Sequence, residues 1–309
     1  MPRSRILCFL VVTAALLPLL GEPGAEAAFP GADGRIAFTQ EAPAGDHTQS
    51  DVYTVNPDGS GLIRLTASAN KNEFGPAYNP AGTLIAFWRT PAPFGPGSLW
   101  VMNADGSDKH QLTTGIDARD PAWDPTGTRL AYTGPGQGSF DIWTLRATDG
   151  QDRHRVTQGA ATDFEPAWSP TGSQIAFTRG FEQGDAGDVY VGAPAGGTTT
   201  PVTSSPAYDH QAAWAPGAGR LTFERDFDHS SSIFVVGADG ANLVRLTTGP
   251  AFDTGPAFSP RGTRIAFGTD RGGSTFPDLW LMRPDGANAH RLVDLPFANG
   301  FPDWQPLGG

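Results

Sequence analysis

The chain has 309 residues, a formal net charge of -11 and a single cysteine, Cys8. The negative charge disfavours nucleic acid and anionic membrane surfaces as partners, because phosphate groups would be repelled. The 40 glycines and 28 prolines, together with 8 tryptophans and 19 phenylalanines, indicate many turns and few helices rather than disorder.

The first segment of the chain has the parts of a secretory signal peptide. Two arginines precede the apolar run 6–20, and a small-residue stretch then ends in Ala25-Glu26-Ala27. We therefore expect cleavage after Ala27, so that residues 1–27 are a signal peptide and residues 28–309 form one mature domain. An uncleaved membrane anchor is the alternative, which the short apolar run disfavours. Cleavage would remove Cys8 and exclude disulfides and thiolate chemistry from a secreted, periplasmic or envelope protein.

Four short elements then recur in a fixed order, with a period of about 45 residues. The first to appear is an apolar, small, aromatic triplet, at 36–38, 85–87, 130–132, 175–177, 221–223 and 265–267. An element of the type Asp-x-aromatic follows it, at 51–53, 98–100, 141–143, 188–190, 232–234 and 278–280. The third element resembles Arg-Leu-Thr, at 64–66, 111–113, 155–157, 201–203, 245–247 and 291–293. The fourth is Pro-Ala-aromatic-x-Pro, at 76–80, 121–125, 166–170 and 256–260, with variants at 212–216 and 302–306.

Each element has the length and the aromatic and β-branched composition of a strand, and turn residues separate the elements. Asp-Gly dipeptides such as Asp58-Gly59 lie between the second and third elements and predict type I′ hairpins. Pro-x-Gly follows the fourth element, as in Pro125-Thr126-Gly127, and predicts another tight turn. The order within one blade is therefore Pro-Ala-aromatic (innermost), triplet, Asp-x-aromatic and Arg-Leu-Thr (outermost).

The two ends of the repeat array complement each other. The first copy begins with its triplet and lacks an inner strand, whereas the last element, 302–306, is an inner strand without a triplet behind it. Joining them completes one blade and leaves no free sheet edge in the ring. We therefore predict an all-β fold, a six-bladed β-propeller of four-stranded antiparallel blades, closed by the C-terminal strand completing the first blade.

The repeats resemble the Pro-Asp type of WD-like propeller repeat found in TolB-like propellers. Trp168-Ser169-Pro170 with Gly172 and Ile175-Ala176-Phe177 is a close copy of that consensus, and the resemblance covers nearly all of the predicted mature chain. The aspartate of the consensus Pro-Asp-Gly is replaced here, for example by Thr171. The resemblance implies a propeller that binds other molecules at one end of its central channel.

The best candidate site from the sequence is a ring of oxygen-bearing side chains three residues before each inner-strand proline or its equivalent. Five of the six positions carry such a residue: Glu73, Asp163, Asp209, Asp253 and Asn299, with Ala118 as the exception. Blade symmetry would place them around the channel mouth, where hard oxygen ligands could hold a divalent cation such as calcium. The alternative is that each side chain caps the backbone of its own connecting turn.

Other candidates carry weaker signals. His110, His154 and His290 occupy one position of three outer strands and are predicted to be surface residues. The segment 226–229, Asp-Phe-Asp-His, could supply metal ligands but lacks the spacing of a calcium loop and is more typical of a solvated loop. The glycine-rich segment 134–138 precedes no predicted helix and so does not fit a phosphate loop. The aromatic residues of the inner strands are predicted to be inter-blade core: Tyr78, Trp123, Trp168, Trp214, Phe258 and Trp304.

The sequence therefore favours a monomeric, exported, non-catalytic scaffold that binds a protein or cell-envelope component. The variable long loops after each triplet are the expected binding surface, because the tight turns at the other end are repetitive. No nucleophile elbow and no His-Glu-x-x-His sequence is present. After cleavage we expect no integral membrane segment. The alternative function is a secreted hydrolase or lyase acting on a carbohydrate or similar polymer, with channel-mouth carboxylates as acid, base or metal ligands.

Overall fold

The computed structural model describes residues 29–44, 47–91, 95–180, 187–273 and 275–308, with only the backbone described at 42–44 and 47–48. The predicted signal peptide lies outside the described residues. No helix long and apolar enough to cross a membrane occurs within these ranges.

Six four-stranded antiparallel sheets form the fold, as the sequence predicts. The innermost strands of blades 1 to 6 are β24 (Asn299–Leu307), β4 (Lys71–Tyr78), β8 (Arg119–Trp123), β12 (Asp163–Trp168), β16 (Tyr208–Trp214) and β20 (Asp253–Phe258). The second strands are β1 (Ala32–Ala44), β5 (Leu84–Pro91), β9 (Arg129–Pro135), β13 (Ile175–Arg179), β17 (Arg220–Phe227) and β21 (Ile265–Thr269). The third strands are β2 (His47–Val55), β6 (Ser98–Asn103), β10 (Phe140–Arg146), β14 (Asp188–Gly192), β18 (Ser230–Gly237) and β22 (Asp278–Met282). The outer strands are β3 (Ile63–Arg64), β7 (His110–Gln111), β11 (His154–Arg155), β15 (Thr199–Pro201), β19 (Val244–Arg245) and β23 (His290–Arg291).

The C-terminal strand closes the ring. β24 pairs antiparallel with β1, with Trp304 opposite Ile36 and Asp303 opposite Ala37. Each inner strand also contacts the inner strands of the two neighbouring blades, and β24 contacts both β20 and β4. The predicted fold class and its closure by the last strand are therefore confirmed.

Packing between blades uses the repeated aromatic positions. Trp123, Trp214 and Trp304 are 0–2 % exposed, and each indole Nε1–H donates to an inner-strand alanine carbonyl of the preceding blade at 3.0–3.2 Å. A buried indole needs such a partner because an unpaired N–H is costly. The prediction that these aromatics form inter-blade core is confirmed.

The threonine of the Arg-Leu-Thr element attaches the short outer strand to its blade. In blades 1 to 5 this Oγ1 accepts the backbone N–H of a third-strand residue at 2.8–2.9 Å. A two-residue outer strand offers few ladder hydrogen bonds, so this side-chain bond adds a point of attachment. Val293 occupies the position in blade 6.

The turn between the third and outer strands differs from the prediction. Gly59 has φ 82° and Gly106 has φ 84°, but neither Asp58 nor Asp105 has a positive φ, so the turns are not type I′. The N–H of Gly59 bonds to the carbonyl of Asn56 at 2.9 Å, which places Pro57 and Asp58 at the centre of a type I turn. Proline fixes φ near −65° and thereby excludes the positive φ that a type I′ turn requires.

We name the two ends of the propeller by their connections. The loop face carries the connections between second and third strands and those leading into the inner strands, and the turn face carries the tight turns. Two of the predicted long loops of the loop face are mostly strand. In the segment 40–50, β1 continues to Ala44 and β2 begins at His47. In the segment 225–231, only residues 228–229 separate β17 from β18. Their position after the triplets predicted loops, but hairpin pairing of the second and third strands continues through these segments and satisfies their backbone groups.

Candidate functional site

The five residues predicted to ring the channel mouth lie near the loop-face ends of the inner strands and are almost fully buried. Glu73, Asp163, Asp209, Asp253 and Asn299 are each 0–1 % exposed. Burying a carboxylate is costly unless a cation or several hydrogen-bond donors replace the lost water. The partners of these side chains therefore decide which chemistry is open to them.

Each of the four carboxylates is held by an arginine that lies in or just after the second strand of its own blade. The N···O distances of these ion pairs are 2.8 Å for Arg89–Glu73, 2.7 Å for Arg179–Asp163, 2.5 Å for Arg225–Asp209 and 2.5 Å for Arg271–Asp253. The guanidinium groups of Arg179 and Arg225 bind both carboxylate oxygens of their partners. Such two-point pairing fixes orientation as well as charge.

Every one of these arginines also lies over an aromatic ring of the third strand. The guanidinium carbon is 3.9 Å from the Trp100 ring centroid in blade 2, and 4.8, 4.7 and 5.9 Å from the centroids of Tyr190, Phe234 and Trp280 in blades 4 to 6. A cation over an aromatic face is attracted to it. We call these units the carboxylate–arginine–aromatic stacks, and they fix the loop-face edge of four blades.

Blades 3 and 1 depart from this arrangement. In blade 3 the equivalent position is Ala118, and the acidic residue is one position earlier, at Asp117. The carboxylate of Asp117 pairs with Arg119 at 2.6 Å. In blade 1 the amide of Asn299 donates to the carbonyls of Phe297 at 2.7 Å and Pro277 at 3.3 Å. Capping of a connecting turn, the alternative that the sequence left open, is thus seen at Asn299.

Cation binding by these five residues together stays a prediction. In the part of the chain that the structure describes, three or more histidine or acidic side chains converge on one point at a single place. That place is formed by His210, Glu224 and Asp226, and it includes none of the five.

Every inner strand contains one residue in the left-handed backbone region, at φ 51–56°. These residues are Gly75, Asp120, Glu165, Gln211, Gly255 and Phe301. At each of them the pairing with the second strand shifts register, which identifies a β-bulge. A non-glycine residue adopts this conformation only where surrounding interactions compensate for the strain.

Part of that compensation comes from the preceding blade. The N–H groups of Gly75 and Glu165 donate to the hydroxyls of Thr39 and Thr133 at 3.2 and 3.1 Å. In blades 5 and 6 a glutamate takes the place of the hydroxyl. Gln211 N–H bonds to Glu165 Oε2 at 3.0 Å, and Gly255 N–H bonds to Glu224 Oε2 at 3.1 Å. The bulges therefore join neighbouring blades along the strands that line the channel.

The bulge residues of blades 3 and 4 bring two acids together. Asp120 and Glu165 are 4 % and 1 % exposed, and Asp120 Oδ1 and Glu165 Oε1 have no hydrogen-bond partner. Burial, followed by the negative charge of Glu165, raises the pKa of Asp120 to about 7. This stretch of the channel wall is therefore acidic, and the protein supplies hydrogen-bond partners for only some of its carboxylate oxygens.

His210, Glu224 and Asp226 of blade 5 lie beside Glu165, at the loop-face end of the channel. His210 on β16 is opposite Glu224 on β17 in the strand register, and Asp226 lies two residues further along β17. His210 Nε2 is 3.5 Å from Asp226 Oδ1 and 3.7 Å from Glu224 Oε1, and its Nδ1 is 4.0 Å from Glu165 Oε1. We call His210, Glu224 and Asp226 the His210 cluster.

The electrostatics of the His210 cluster favour a positive charge at its centre. Burial of the imidazole acts to lower its pKa, but Glu224, Asp226 and Glu165 outweigh burial and hold the pKa of His210 well above its usual value. The ring is stacked on Tyr208, with 4.5 Å between centroids, which limits its rotation. The cluster is thus an oriented imidazole among carboxylates.

Sequence reasoning identified Asp226 only as part of a weak Asp-Phe-Asp-His segment and missed His210 and Glu224. The structure uses Asp226 but leaves Asp228 and His229 exposed. A signal was present in the repeat alignment, since the positions equivalent to Glu224 are Thr39, Trp88, Thr133, Thr178 and Gly268. At the facing position, His210 replaces Phe74, Phe164, Thr254 and Gly300 of other blades and Arg119 of blade 3, so that only blade 5 has an imidazole opposite a carboxylate.

The remaining sequence candidates are not drawn into a site. His110, His154 and His290 lie exposed on three different outer strands, as predicted. Their ring nitrogens contact only backbone carbonyls among the described residues. The glycine-rich segment 134–138 joins β9 to β10 and precedes a strand rather than a helix.

The loop face also has a concave surface between blades 2 and 3, and the space inside it has a volume of about 670 Å³. Its lining includes Lys71, Arg89, Trp100, Gln111 and Asp117, so it combines charged, polar and aromatic groups. This surface is open to solvent, so it is a shallow depression rather than an enclosed ligand cavity.

Comparisons with known proteins place these features in a family. The Tol-Pal system protein TolB 1 of Novosphingobium aromaticivorans is 36% identical over 74 residues, which cover 24% of this chain and 16% of that protein. The protein TolB homolog of Chlorobaculum tepidum is 30% identical over 109 residues, 35% of this chain and 24% of that protein. The matched stretches thus span less than a quarter of these relatives' own length.

The fold similarity extends further than the sequence similarity. The crystal structure of TolB from Acinetobacter baumannii superposes with a TM-score of 0.75 and 19% identity, covering 88% of this chain and 67% of that one. The model of the TolB beta propeller domain family (PD40) matches residues 144–308, which is more than half of the chain. The chain therefore belongs to the TolB beta-propeller domain family.

Proposed function

We propose that this protein is an exported, monomeric, non-catalytic scaffold that binds a protein or a cell-envelope component with its loop face. The observation that carries the proposal is the contrast between the two faces. The turn face consists of repeated, internally hydrogen-bonded turns, with a concave surface of about 290 Å³ between blades 6 and 1. The loop face differs from blade to blade and contains the concave surface of about 670 Å³ between blades 2 and 3. Binding surfaces concentrate on variable loops that a rigid scaffold positions.

The carboxylate–arginine–aromatic stacks support a binding role for this face. They hold the loop-face edges of four blades in a fixed geometry, so little conformational freedom would be lost when a partner docks. The same pairing engages Asp163, Asp209 and Asp253 with guanidinium groups, which makes them poor general acids or bases. Burial outweighs Arg89 at Glu73 and raises the pKa of that carboxyl to about 7. Relatives named as Tol-Pal system proteins support an envelope setting.

The alternative function, a hydrolase or lyase acting on a carbohydrate or similar polymer, has less support. It would have to use the His210 cluster or Glu73, since arginines engage Asp163, Asp209 and Asp253. Release of soluble fragments from a polysaccharide by the purified propeller, abolished in H210A, would favour the alternative over the scaffold.

The proposal is tested by comparing two matched baits in affinity capture from the native envelope or the culture medium. Ala160→Trp adds a bulky side chain to an exposed loop-face position, and Ala81→Trp adds the same group to an exposed turn-face position. We expect Ala160→Trp to lose partners that the wild-type protein and Ala81→Trp both retain, as measured by quantitative mass spectrometry. Loss with Ala81→Trp and retention with Ala160→Trp would contradict the proposed surface.

Export and oligomeric state have separate tests. N-terminal sequencing of the protein recovered outside the cytoplasm should begin at Ala28, and light scattering after size exclusion should give the mass of one chain. A protein that keeps residues 1–27 would overturn the predicted cleavage, and a dimer mass would overturn the monomer.

A further inference from the structure

We propose that the His210 cluster binds one divalent first-row transition metal ion, of which zinc is the representative probe. Nε2 of His210 and one carboxylate oxygen each from Glu224 and Asp226 all lie within 4.8 Å of one another. This inference goes beyond the proposed scaffold function, which does not depend on it.

The spacing of the ligand atoms fits a bridging ion better than direct contact. The distances of 3.5 and 3.7 Å from His210 Nε2 to the two carboxylates exceed those of good hydrogen bonds. Two ligands at about 2.1 Å from a tetrahedral ion are themselves about 3.4 Å apart. An ion with ligand distances of about 2.1 Å could therefore bind between these three side chains after only small side-chain movements.

A second, independent observation points the same way. His210 is 6 % exposed, yet its Nε2 has no hydrogen-bond partner, and this atom faces the two carboxylates. A buried polar nitrogen that makes ion pairs at 3.5 and 3.7 Å but no hydrogen bond is incompletely satisfied and calls for an explanation. Coordination of a metal ion at Nε2 would satisfy it, with release to solvent of the proton that the charged imidazole carries there.

The residues around the cluster are arranged like the outer shell of a metal site. Metal-binding histidines commonly donate their second ring nitrogen to a carboxylate, and Glu165 Oε1 is 4.0 Å from His210 Nδ1. The other oxygen of Glu165 is fixed by the hydroxyl of Thr178 at 2.8 Å and by Gln211 N–H at 3.0 Å. Glu224 Oε2 is held by Gly255 N–H at 3.1 Å. The shell therefore comes from blades 4, 5 and 6.

The chemistry of the donors selects the class of metal. Calcium and magnesium take oxygen ligands almost exclusively, whereas imidazole nitrogen suits zinc, iron, nickel and copper. The side chain of Asp226 is 45 % exposed, which gives an ion a route from the loop face and leaves room for water or a partner's ligand. This site is distinct from the calcium ring predicted from the sequence.

The test uses the purified protein after treatment with a chelator and dialysis, with zinc chloride as the probe. We expect isothermal titration calorimetry and elemental analysis to give one tightly bound zinc per chain, and zinc to raise the Tm. Calcium at the same concentration should do neither. H210A and E224Q should each weaken zinc binding by about 100-fold or more, and E165Q by about 10- to 100-fold as an outer-shell change.

His229 provides the matched control, because it is an exposed histidine of the same blade that lies outside the cluster. H229A should bind zinc as the wild type does. If H210A does not fold, zinc binding by E224Q and the absorption spectrum of the cobalt-substituted wild-type protein test the proposal instead. A tetrahedral cobalt site with a histidine ligand absorbs in the visible range. Absence of stoichiometric zinc, or zinc binding that survives both H210A and E224Q, would overturn the proposal.

Discussion

Asp303 Oδ2 accepts a hydrogen bond from the backbone N–H of Tyr78 at 2.6 Å. The two residues belong to the inner strands of blades 1 and 2, so this bond joins the C-terminal closing strand to its neighbour. The equivalent position in the other five blades is an alanine: Ala77, Ala122, Ala167, Ala213 and Ala257. The buried acid is thus a feature of the closing strand.

Replacing Asp303 should make stability less dependent on pH. Burial raises the pKa of Asp303 to about 8, whereas an unfolded aspartate titrates near 4. The folded state therefore keeps a proton that the unfolded chain loses, and stability falls as the pH rises from about 4 to about 8. D303N does not titrate and should be more stable than the wild type at pH 8, by an amount on the order of a few kcal/mol.

The measurement is the Tm of both proteins between pH 4 and pH 8.5. The difference between D303N and the wild type should grow steadily across this range, whereas D285N, an exposed substitution, should follow the wild type. A difference that stays constant with pH would show that Asp303 is not protonated in the folded protein.

The carboxylate–arginine–aromatic stacks should contribute measurably to the free energy of unfolding. D163N leaves the guanidinium of Arg179 without its partner, and we expect a loss of about 2–3 kcal/mol. This loss is smaller than the roughly 3–5 kcal/mol typical of fully buried pairs, because the Arg179 side chain is 23 % exposed and asparagine keeps one acceptor oxygen. Denaturant unfolding measures the change.

The control for this prediction is the exposed pair Arg283–Asp285, whose side chains are 60 % and 56 % exposed. R283Q should cost less than about 1 kcal/mol, because water screens the charges. Equal losses for D163N and R283Q would mean that the stacks do not stabilise the loop-face edge.

The closing strand is expected to be essential for stability. Trp304 is 2 % exposed, packs in the core between blades 6 and 1, and donates its indole N–H to Ala257. W304A should therefore lower the free energy of unfolding by about 3–5 kcal/mol. L307A, on the same strand but 44 % exposed, should change it little, and a small effect of W304A would contradict closure by β24.

Calcium binding by Glu73, Asp163, Asp209, Asp253 and Asn299 is a separate prediction. An ion at these residues would have to compete with the arginines that now pair with four of them. If it binds, millimolar calcium should raise the Tm, and the double variant D163A/D253A should remove the increase. An unchanged Tm in millimolar calcium would contradict the prediction.

The fold could be predicted from the sequence because each strand repeats a pattern six times. The triplets, exemplified by Ile36-Ala37-Phe38, and the Pro-Ala-aromatic elements are buried where the pattern places them. The inner-strand bulges could not be predicted, because the six bulge positions carry five different residue types, with only glycine occurring twice. In blades 2, 4, 5 and 6 the backbone at these positions is held by bonds to the preceding blade.

The site was predicted less well than the fold, for a physical reason. Spacing alone placed Asp163 and Asp209 near the channel mouth, but it could not show that arginines of the same blades would take up their carboxylates. The His210 cluster depends on strand register, which brings residues 14 positions apart in sequence into contact. The hydrophobic pattern and the turn geometry set the register in general, but the β-bulge between His210 and Ala213 shifts it at this point.

The central claim, that the loop face is the binding surface, is tested most directly by site-specific photo-crosslinking in the native cell. A crosslinking amino acid would replace exposed Ala160 on the loop face or exposed Ala287 on the turn face. We predict a discrete crosslinked species from position 160 and none from position 287. A discrete species from position 287 alone would contradict the account.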